Sequence, residues 1–173
     1  MKHLILLRHA KADWAENGLD DFDRPLSNDG QGECQLLAPW LIQNDLLPDH
    51  ALVSPALRTR QTWESVCNNL PDAPPHDTHD DLYLAAPGTL LAHISALPDI
   101  VGTALVVAHN PGLEALARML AGASPDDAAM RDMMLGYPTA GLAKFTVDTD
   151  HWDQISVATT RLDVFLRPQA MDD

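Results

Sequence analysis

Four residues of two kinds recur at equivalent places along the chain. Arg8 and His9 end the run LILLRHAK (residues 4–11), Arg58 lies in LVSPALRTRQT (52–62), and His109 lies in VVAHNPGLE (106–114). Each follows a short apolar run and precedes a helical pattern. A guanidinium presents a rigid fork of N–H donors that matches phosphate oxygens, and a neutral imidazole can attack as a nucleophile near neutral pH. Two guanidinium and two imidazole groups around one hollow would hold a tetrahedral oxyanion, and phosphate is the obvious candidate. Helices starting near Pro55 and Pro111 would add free N–H groups and the favourable end of the helix dipole. A strand-end histidine by itself is usually structural, and Arg58 by itself would be a surface helix residue. The argument rests on their recurrence at the same topological place. The sequence carries no Walker A loop, no GxGxxG and no serine nucleophile elbow, since Ser54 lacks the flanking glycines.

The elements that must position these residues alternate between strand and helix, which predicts an α/β layered domain spanning residues 1–173. HLILLRH (3–9) is a near-continuous apolar run, as expected of a central strand covered on both faces. ALVS (51–54) and TALVVAH (103–109) read as two more buried strands. If the three are parallel and adjacent, their carboxyl ends bring Arg8, His9, Arg58 and His109 to one crevice. Ser27 is the expected N-cap of a helix with Asp29 in its first turn and Cys34, Leu37, Ala38 and Leu41 on its inner face. Pro39 predicts a kink or break of that helix within 35–39. Ser54-Pro55 and Asn110-Pro111 are each expected to supply a cap and a first helical residue. Thr59, Thr62, Trp63, Val66 and Leu70 trace the inner stripe of the second helix, and Leu113, Leu116, Ala117 and Leu120 that of the helix after His109. A short strand is expected around 76–79 and a helix over 87–97. GLAKFTV (141–147) and QISVATT (154–160) alternate and read as later, edge-type strands.

Composition narrows the function classes. Hydrophobic residues make up 46% and charged residues 21%, as in an ordinary water-soluble globular protein. The N-terminal apolar run is too short for a secretory signal or a membrane span, so the default location is the cytoplasm. The formal charge of −14 repels phosphate backbones and anionic bilayers and argues against nucleic acid or membrane partners. Arg8, Lys11, Arg24, Arg58 and Arg60 are five of the 11 basic residues, and all lie within the first 60 positions. A local anion site on an acidic body would use some of them. Cys34 and Cys67 lack metal-ligand or disulfide spacing and read as buried free thiols. His76 and His79 have no further ligand set nearby, and His3, His50, His93 and His151 likewise read as surface or structural.

Taken in order, LLRHAKAD, DRPLSNDG, LVSPALRTRQT, LYLAAPGTLL, VVAHNPGLEALA and PTAGLAKF resemble the motifs of the histidine phosphatase superfamily. They are most similar to its small bacterial branch, the SixA-type phosphohistidine phosphatases. The resemblance runs from residue 2 to about 147 and is specific in combination, although each piece alone is weak. It implies a phosphoglycerate mutase-like three-layer α/β/α sandwich with a mostly parallel central sheet. It implies His9 as the nucleophile that takes up the phosphoryl group, with Arg8, Arg58 and His109 holding its oxygens. Three cationic donors would then do the work of a metal, so neither metal nor cofactor is expected. The general acid is less defined. Family members often place a Glu after the second helix; here HDDLY offers Asp80 or Asp81, and Asp81 fits the x-L-Y pattern better. Either carboxylate could instead be a solvated loop residue. Ala10 stands where much of the superfamily has Gly. Asp13, Asp21, Asp23 and Arg24 lie in the loop after the first strand, and Arg24 is expected to pair with a neighbouring Asp more than to touch substrate.

Larger superfamily members carry insertions that cap the pocket. The span 71–102 is short and must also hold a helix, which predicts an open, shallow pocket. Such a pocket suits a phosphorylated side chain on another protein, and a phosphohistidine leaving group needs little help from an acid. The expected activity is therefore a metal-independent phosphohistidine phosphatase, a type of phosphoric monoester hydrolase, acting on a phosphohistidine-bearing signalling protein. Its rivals are a phosphatase of small phosphate esters or nucleotides using the same site, a phosphate-binding module without turnover, and a mutase.

Overall fold

Along β1 (Lys2–Arg8) successive side chains must leave on opposite faces. Leu4 and Leu6 enter one buried cluster, while Ile5 and Leu7 enter another. The strand is thus covered on both faces, as its unbroken apolar run requires. The computed structural model describes residues 1–14, 18–122 and 127–168. Its remaining strands are β2 (His50–Val53), β3 (His76–Thr78), β4 (Thr103–Ala108), β5 (Leu142–Val147) and β6 (Thr160–Leu166). They form one six-stranded sheet in the order β3-β2-β4-β1-β5-β6. The pairs β1–β4, β2–β4 and β2–β3 are parallel, whereas β1–β5 and β5–β6 are antiparallel.

The helices are α1 (Asn28–Gln43), α2 (Leu57–Cys67), α3 (Pro87–Ser95), α4 (Gly112–Ala121) and α5 (Ala128–Met134). Leu37 and Leu41 of α1 join Trp63 and Val66 of α2 in the cluster that holds Ile5 and Leu7. Leu90 and Ile94 of α3, Leu113 and Leu116 of α4 and Met133 of α5 join the cluster that holds Leu4 and Leu6. Three layers follow, with two helices on one face of the sheet and three on the other. The fold is the α/β/α architecture expected from the alternation. Truncating a residue such as Leu37 or Leu116 to Ala would cost about 2–5 kcal/mol.

Several local expectations are corrected. α1 runs unbroken through Pro39. Pro39 and Gln35 both lie on the exposed face, so the carbonyl that loses its partner turns to water. Ser27 does cap α1, accepting from the Gly30 N–H at 3.0 Å. α2 begins at Leu57 rather than at Pro55, with Ala56 as its uncapped flanking residue. Ser54 is no helix cap because its hydroxyl is engaged by His109. α4 begins at Gly112, after a cis Asn110-Pro111 bond, and the Asn110 side chain serves Glu114 and the Tyr137 carbonyl instead of capping. Gly112 is required where it stands: a Cβ there would lie 1.8 Å from the Ala85 carbonyl oxygen.

β5 lies inside the sheet between β1 and β6, so it is not an edge strand. The expected strand over 154–160 is a turn, and the strand starts only at Thr160. Trp152 is fully buried and donates its indole N–H to the Val101 carbonyl at 2.9 Å, which pins the chain there. The Thr159 hydroxyl then bonds the Gln154 carbonyl within the turn, and the Thr160 hydroxyl is shared between the Ser156 carbonyl and the Leu120 carbonyl of α4. In β6 the pairing with β5 steps from Val164 to Leu162 across a register shift. That shift places Leu162 and Phe165, three apart, in the same cluster and hides the period of two. Cys34 is buried and Cys67 half-buried, both as free thiols, and burial raises each to about 11.

Candidate active site

The register of the parallel strands sets the site. Arg8 of β1 faces Ala108 of β4, and Val53 of β2 faces Val107 of β4. One residue further on, His9, Ser54 and His109 leave three adjacent strands at the same edge of the sheet. The sheet still holds them there: the His9 N–H donates to the Ala108 carbonyl at 3.1 Å, and the Ser54 N–H donates to the Val107 carbonyl at 3.0 Å. Arg58 arrives on the first turn of α2. The four residues predicted to converge do so.

His9 sits in a tightly tied loop. Its carbonyl accepts from the Ala140 N–H at 3.0 Å. The Ala10 N–H donates to Thr62 Oγ1 at 3.0 Å, and the Lys11 N–H donates to Glu33 Oε2 at 2.8 Å. α1 presses on the same loop through Gly30, where a Cβ would lie 2.0 Å from the Lys11 carbonyl oxygen. The imidazole Nδ1 lies 2.7 Å from the Ala10 carbonyl oxygen. A carbonyl only accepts, so Nδ1 carries the proton and Nε2 keeps its lone pair. Burial, aided by the charges of Arg58 and Arg8 and opposed by the Ala10 hydrogen bond, lowers the His9 pKa to about 4. His9 is neutral at pH 7.

The His109 ring lies 5.3 Å from that of His9, centroid to centroid. Its Nε2 is 2.6 Å from Ser54 Oγ. Burial, then His9 and Arg58, lower its pKa to about 3. The expectation of three cationic donors is therefore corrected to two: in the free protein His109 is a neutral hydrogen-bonding group. Arg8 donates through Nη1 to the Tyr137 carbonyl at 2.9 Å. Arg58 donates through Nη1 to the Asp21 carbonyl at 2.7 Å and through Nη2 to Asp21 Oδ2 at 3.0 Å.

Five buried side-chain atoms lack a hydrogen-bond partner among the described residues: His3 Nδ1, Arg8 Nε, Arg58 Nε, His109 Nδ1 and Asn110 Oδ1. Three of them are nitrogens of the four convergent residues. Buried polar groups are costly to leave unpaired, at about 1–3 kcal/mol each, so two guanidinium donors and an imidazole nitrogen left open here suit an acceptor-rich group. A tetrahedral oxyanion has the oxygens to satisfy all three.

Sequence reasoning did not anticipate how Asp21, Tyr83 and Ser54 take part. Asp21 accepts from Arg58, from Arg24 Nη1 at 2.9 Å and from the Tyr83 hydroxyl. These donors, Tyr83 foremost, hold its carboxyl well below the usual range, although partial burial works the other way. Asp21 thus buttresses one side of the Arg58 fork as an anion. The expected pairing of Arg24 with a neighbouring Asp is this contact. The Tyr83 ring meets His109 edge-on at 5.6 Å. Only LYLAAP could have signalled it, and an aromatic before a turn is a common feature. Asp81 joins none of the four. Its Oδ1 pairs with His93 Nε2 at 2.9 Å on an exposed turn, and Asp80 is exposed as well. Among the other basic residues, Lys11 pairs with Asp29 and Arg60 bonds the Pro55 carbonyl, both on the surface. No group of three or more candidate metal ligands occurs among the described residues.

The comparisons with known proteins agree with this geometry. Residues 4–83 match the family model described as histidine phosphatase superfamily (branch 1). An uncharacterized protein of Mycobacterium tuberculosis is 38% identical over 94% of this chain and 100% of its own length. Phosphohistidine phosphatase SixA of Escherichia coli K12 is 34% identical over 62% of this chain and 67% of its own length. The structure of the protein histidine phosphatase SixA complexed with tungstate superimposes with a TM-score of 0.78 at 26% identity, covering 98% of this chain and 99% of that one. With its sheet order, its convergent Arg-His pair and these relatives, the chain belongs to the histidine phosphatase superfamily, in the SixA-type branch, and is a phosphatase.

Proposed function

We propose that this chain hydrolyses phosphorylated substrates through a phosphohistidine intermediate on His9, and that its substrate is a phosphohistidine-bearing protein. The observation that carries the reading is the tautomer of His9. Its Nδ1–H is committed to the Ala10 carbonyl, so the Nε2 lone pair is free beside the partnerless nitrogens of Arg8, Arg58 and His109. In the first step Nε2 attacks phosphorus in line, the N–P bond forms and the bond to the leaving group breaks. Arg8, Arg58 and His109 bind the equatorial oxygens, where phosphoryl transfer needs positioning and charge stabilisation more than covalent help. In the second step water attacks phosphorus, the N–P bond breaks and phosphate leaves. Two fixed guanidinium groups supply the charge that a metal ion supplies elsewhere, so the reaction is expected to proceed without one.

The choice of a phosphorylated histidine rests on the acid and on the shape of the rim. Asp21 is held as an anion by Tyr83, Arg24 and Arg58, and Asp81 is turned to His93, so among the described residues neither of these two carboxyls is poised as an acid for His9. A sugar alkoxide would leave poorly from such a site. An imidazole leaves readily because its nitrogen is easily protonated by water. Helix α3 of the 71–102 span gives Leu90 and Ile94 to the core rather than a cap to the pocket. Access by a side chain of a second protein follows. A small-ester phosphatase using the same groups remains the second reading, favoured only by the breadth of chemistry that such a site tolerates.

Acid-quench labelling with a phosphorylated substrate tests the mechanism. The expected product is an acid-labile, alkali-stable phosphoenzyme that is lost in His9→Ala; label that persists in that variant overturns the assignment. Competition between a phosphohistidine peptide and sugar phosphates, compared by kcat/KM, tests the substrate. Preference for the sugar phosphate would select the second reading.

A further inference from the structure

We propose that Ser54 is a positioning residue of the phosphoryl-transfer site: its hydroxyl donates to His109 Nε2 and thereby selects the imidazole tautomer that carries its proton on Nδ1. This inference rests on the reading of the pocket given above and adds the device that prepares one of its donors.

Ser54 has no freedom to do otherwise. It is fully buried one residue past β2. Its N–H is bonded to Val107, and its carbonyl accepts from Thr59 Oγ1 at 2.7 Å, so its backbone is held on both sides. Its hydroxyl meets His109 Nε2 at 2.6 Å and has no other partner among the described residues. A buried hydroxyl proton needs an acceptor. In a neutral imidazole one nitrogen donates and the other accepts. If Nε2 held the proton, it would donate to Oγ, the hydroxyl proton would be stranded, and Nδ1 would present a lone pair to an arriving oxyanion. With the hydroxyl as donor, Nε2 accepts and Nδ1 becomes an N–H. Nδ1 is one of the three buried nitrogens of the convergent residues left without a partner among the described residues.

The chemistry of the partner therefore gives the two histidines their separate tasks. At His9 an acceptor, the Ala10 carbonyl, holds the proton on Nδ1 and leaves Nε2 as a lone pair. At His109 a hydroxyl feeds Nε2 and leaves Nδ1 as a donor. An alanine at this position would leave the tautomer of His109 unset.

Imidazole nitrogen spectra test this directly. In the nitrogen-15-labelled full chain at neutral pH, without added anion, His109 is expected to show a pyrrole-type Nδ1 and a pyridine-type Nε2. In Ser54→Ala the His109 ring is expected to move to a mixture of tautomers, while His9, held by Ala10, keeps its proton on Nδ1 and reports an intact site. Turnover of p-nitrophenyl phosphate is expected to fall about tenfold in kcat/KM, the effect of one mis-set buried hydrogen bond. The acid limb of its pH profile should move with it, and Ser54→Thr should restore both. A wild-type spectrum with a pyrrole-type Nε2 at His109 overturns the proposal, whether or not Ser54→Ala folds. So does a Ser54→Ala spectrum in which His109 keeps its proton on Nδ1. Loss of the His9-dependent phosphoenzyme from the mechanism would overturn the functional reading alone, because the tautomer is read in the absence of turnover.

Discussion

The two sides of the sheet treat buried charge in opposite ways. On the antiparallel flank, Lys144 of β5 donates to Asp163 Oδ2 at 2.7 Å, Thr146 donates to the same oxygen at 2.6 Å, and Arg161 donates to Asp163 Oδ1 at 2.8 Å. Each of these charges has its counter-charge in hand, and these donors hold the Asp163 carboxyl below its ordinary range although burial pushes it up. At the carboxyl edge of β1, β2 and β4 the protein leaves guanidinium and imidazole nitrogens buried without a partner among the described residues. Completed networks stabilise a fold, and incomplete ones cost it free energy, so they persist where a ligand completes them. The difference separates structural charge from charge reserved for a reaction. Asp21 stands between the two classes: it completes one side of Arg58 and leaves Nε open.

That contrast can be broken by exchanging what each side depends on. The largest effect is expected for Arg58→Lys, which keeps the charge but removes the planar fork and the Nε–H. Its kcat/KM should drop about 100-fold, read by steady-state kinetics, because an ammonium cannot reproduce two parallel hydrogen bonds. A loss of less than about threefold would show that Arg58 acts only as a point charge.

A second effect follows from the two neutral histidines. Their folded pKa values, about 4 for His9 and about 3 for His109, lie below the ordinary value of 6.5. Between those values the unfolded chain binds more protons than the native one, so stability must fall as the pH falls from about 6.5 toward 3. The combined loss is on the order of several kcal/mol, up to about 8 kcal/mol at the low end of that range. Denaturant titrations across that range should show it, and the double variant His9→Gln, His109→Gln should flatten the slope. A slope unchanged in that variant would mean that other groups dominate acid sensitivity.

On the flank, Asp163→Ala should cost about 1–3 kcal/mol of stability by stranding the half-buried Lys144 charge, with kcat/KM unchanged. A matching fall in kcat/KM would deny the separation of the two regions. The smallest effect is expected for Asp81→Asn. With its exposed carboxylate paired to half-buried His93, turnover should stay within about twofold, since surface ion pairs contribute little. A larger loss in kcat would return Asp81 to the role of general acid.

How much of this was legible in advance depends on the range of the interaction. The buried strands 3–9, 51–54 and 103–109 were readable because burial on both faces demands continuous apolar runs. The inner stripes of α2 and α4 were readable from helical periodicity. Positions governed by a single distant contact were not. Ser54 and Asn110 have the right types for helix caps, and local propensity favours that use, but His109 and Glu114 claim their side chains from elsewhere. The 154–160 segment alternates like a strand, yet burial of Trp152 and a set of hydroxyl-to-backbone bonds turn it into a corner. At the site, Arg8, His9, Arg58 and His109 were identified by their recurrence at strand ends. Asp81 was a candidate by sequence pattern, and the turn that carries it points its carboxylate to His93.

By itself, the sequence determined which side chains could bind and transfer a phosphoryl group, and which apolar runs would carry them to strand ends. These are properties of residue type and of short-range periodicity, and they survive without knowledge of any distant contact. Only the tertiary structure decided the burial that lowers the proton affinity of the two imidazoles, the commitment of Asp21 to Arg58 and the pairing of Asp81 with His93. Those outcomes depend on burial and on single hydrogen bonds between residues far apart in the chain, where a shift of one residue in register would exchange one partner for another.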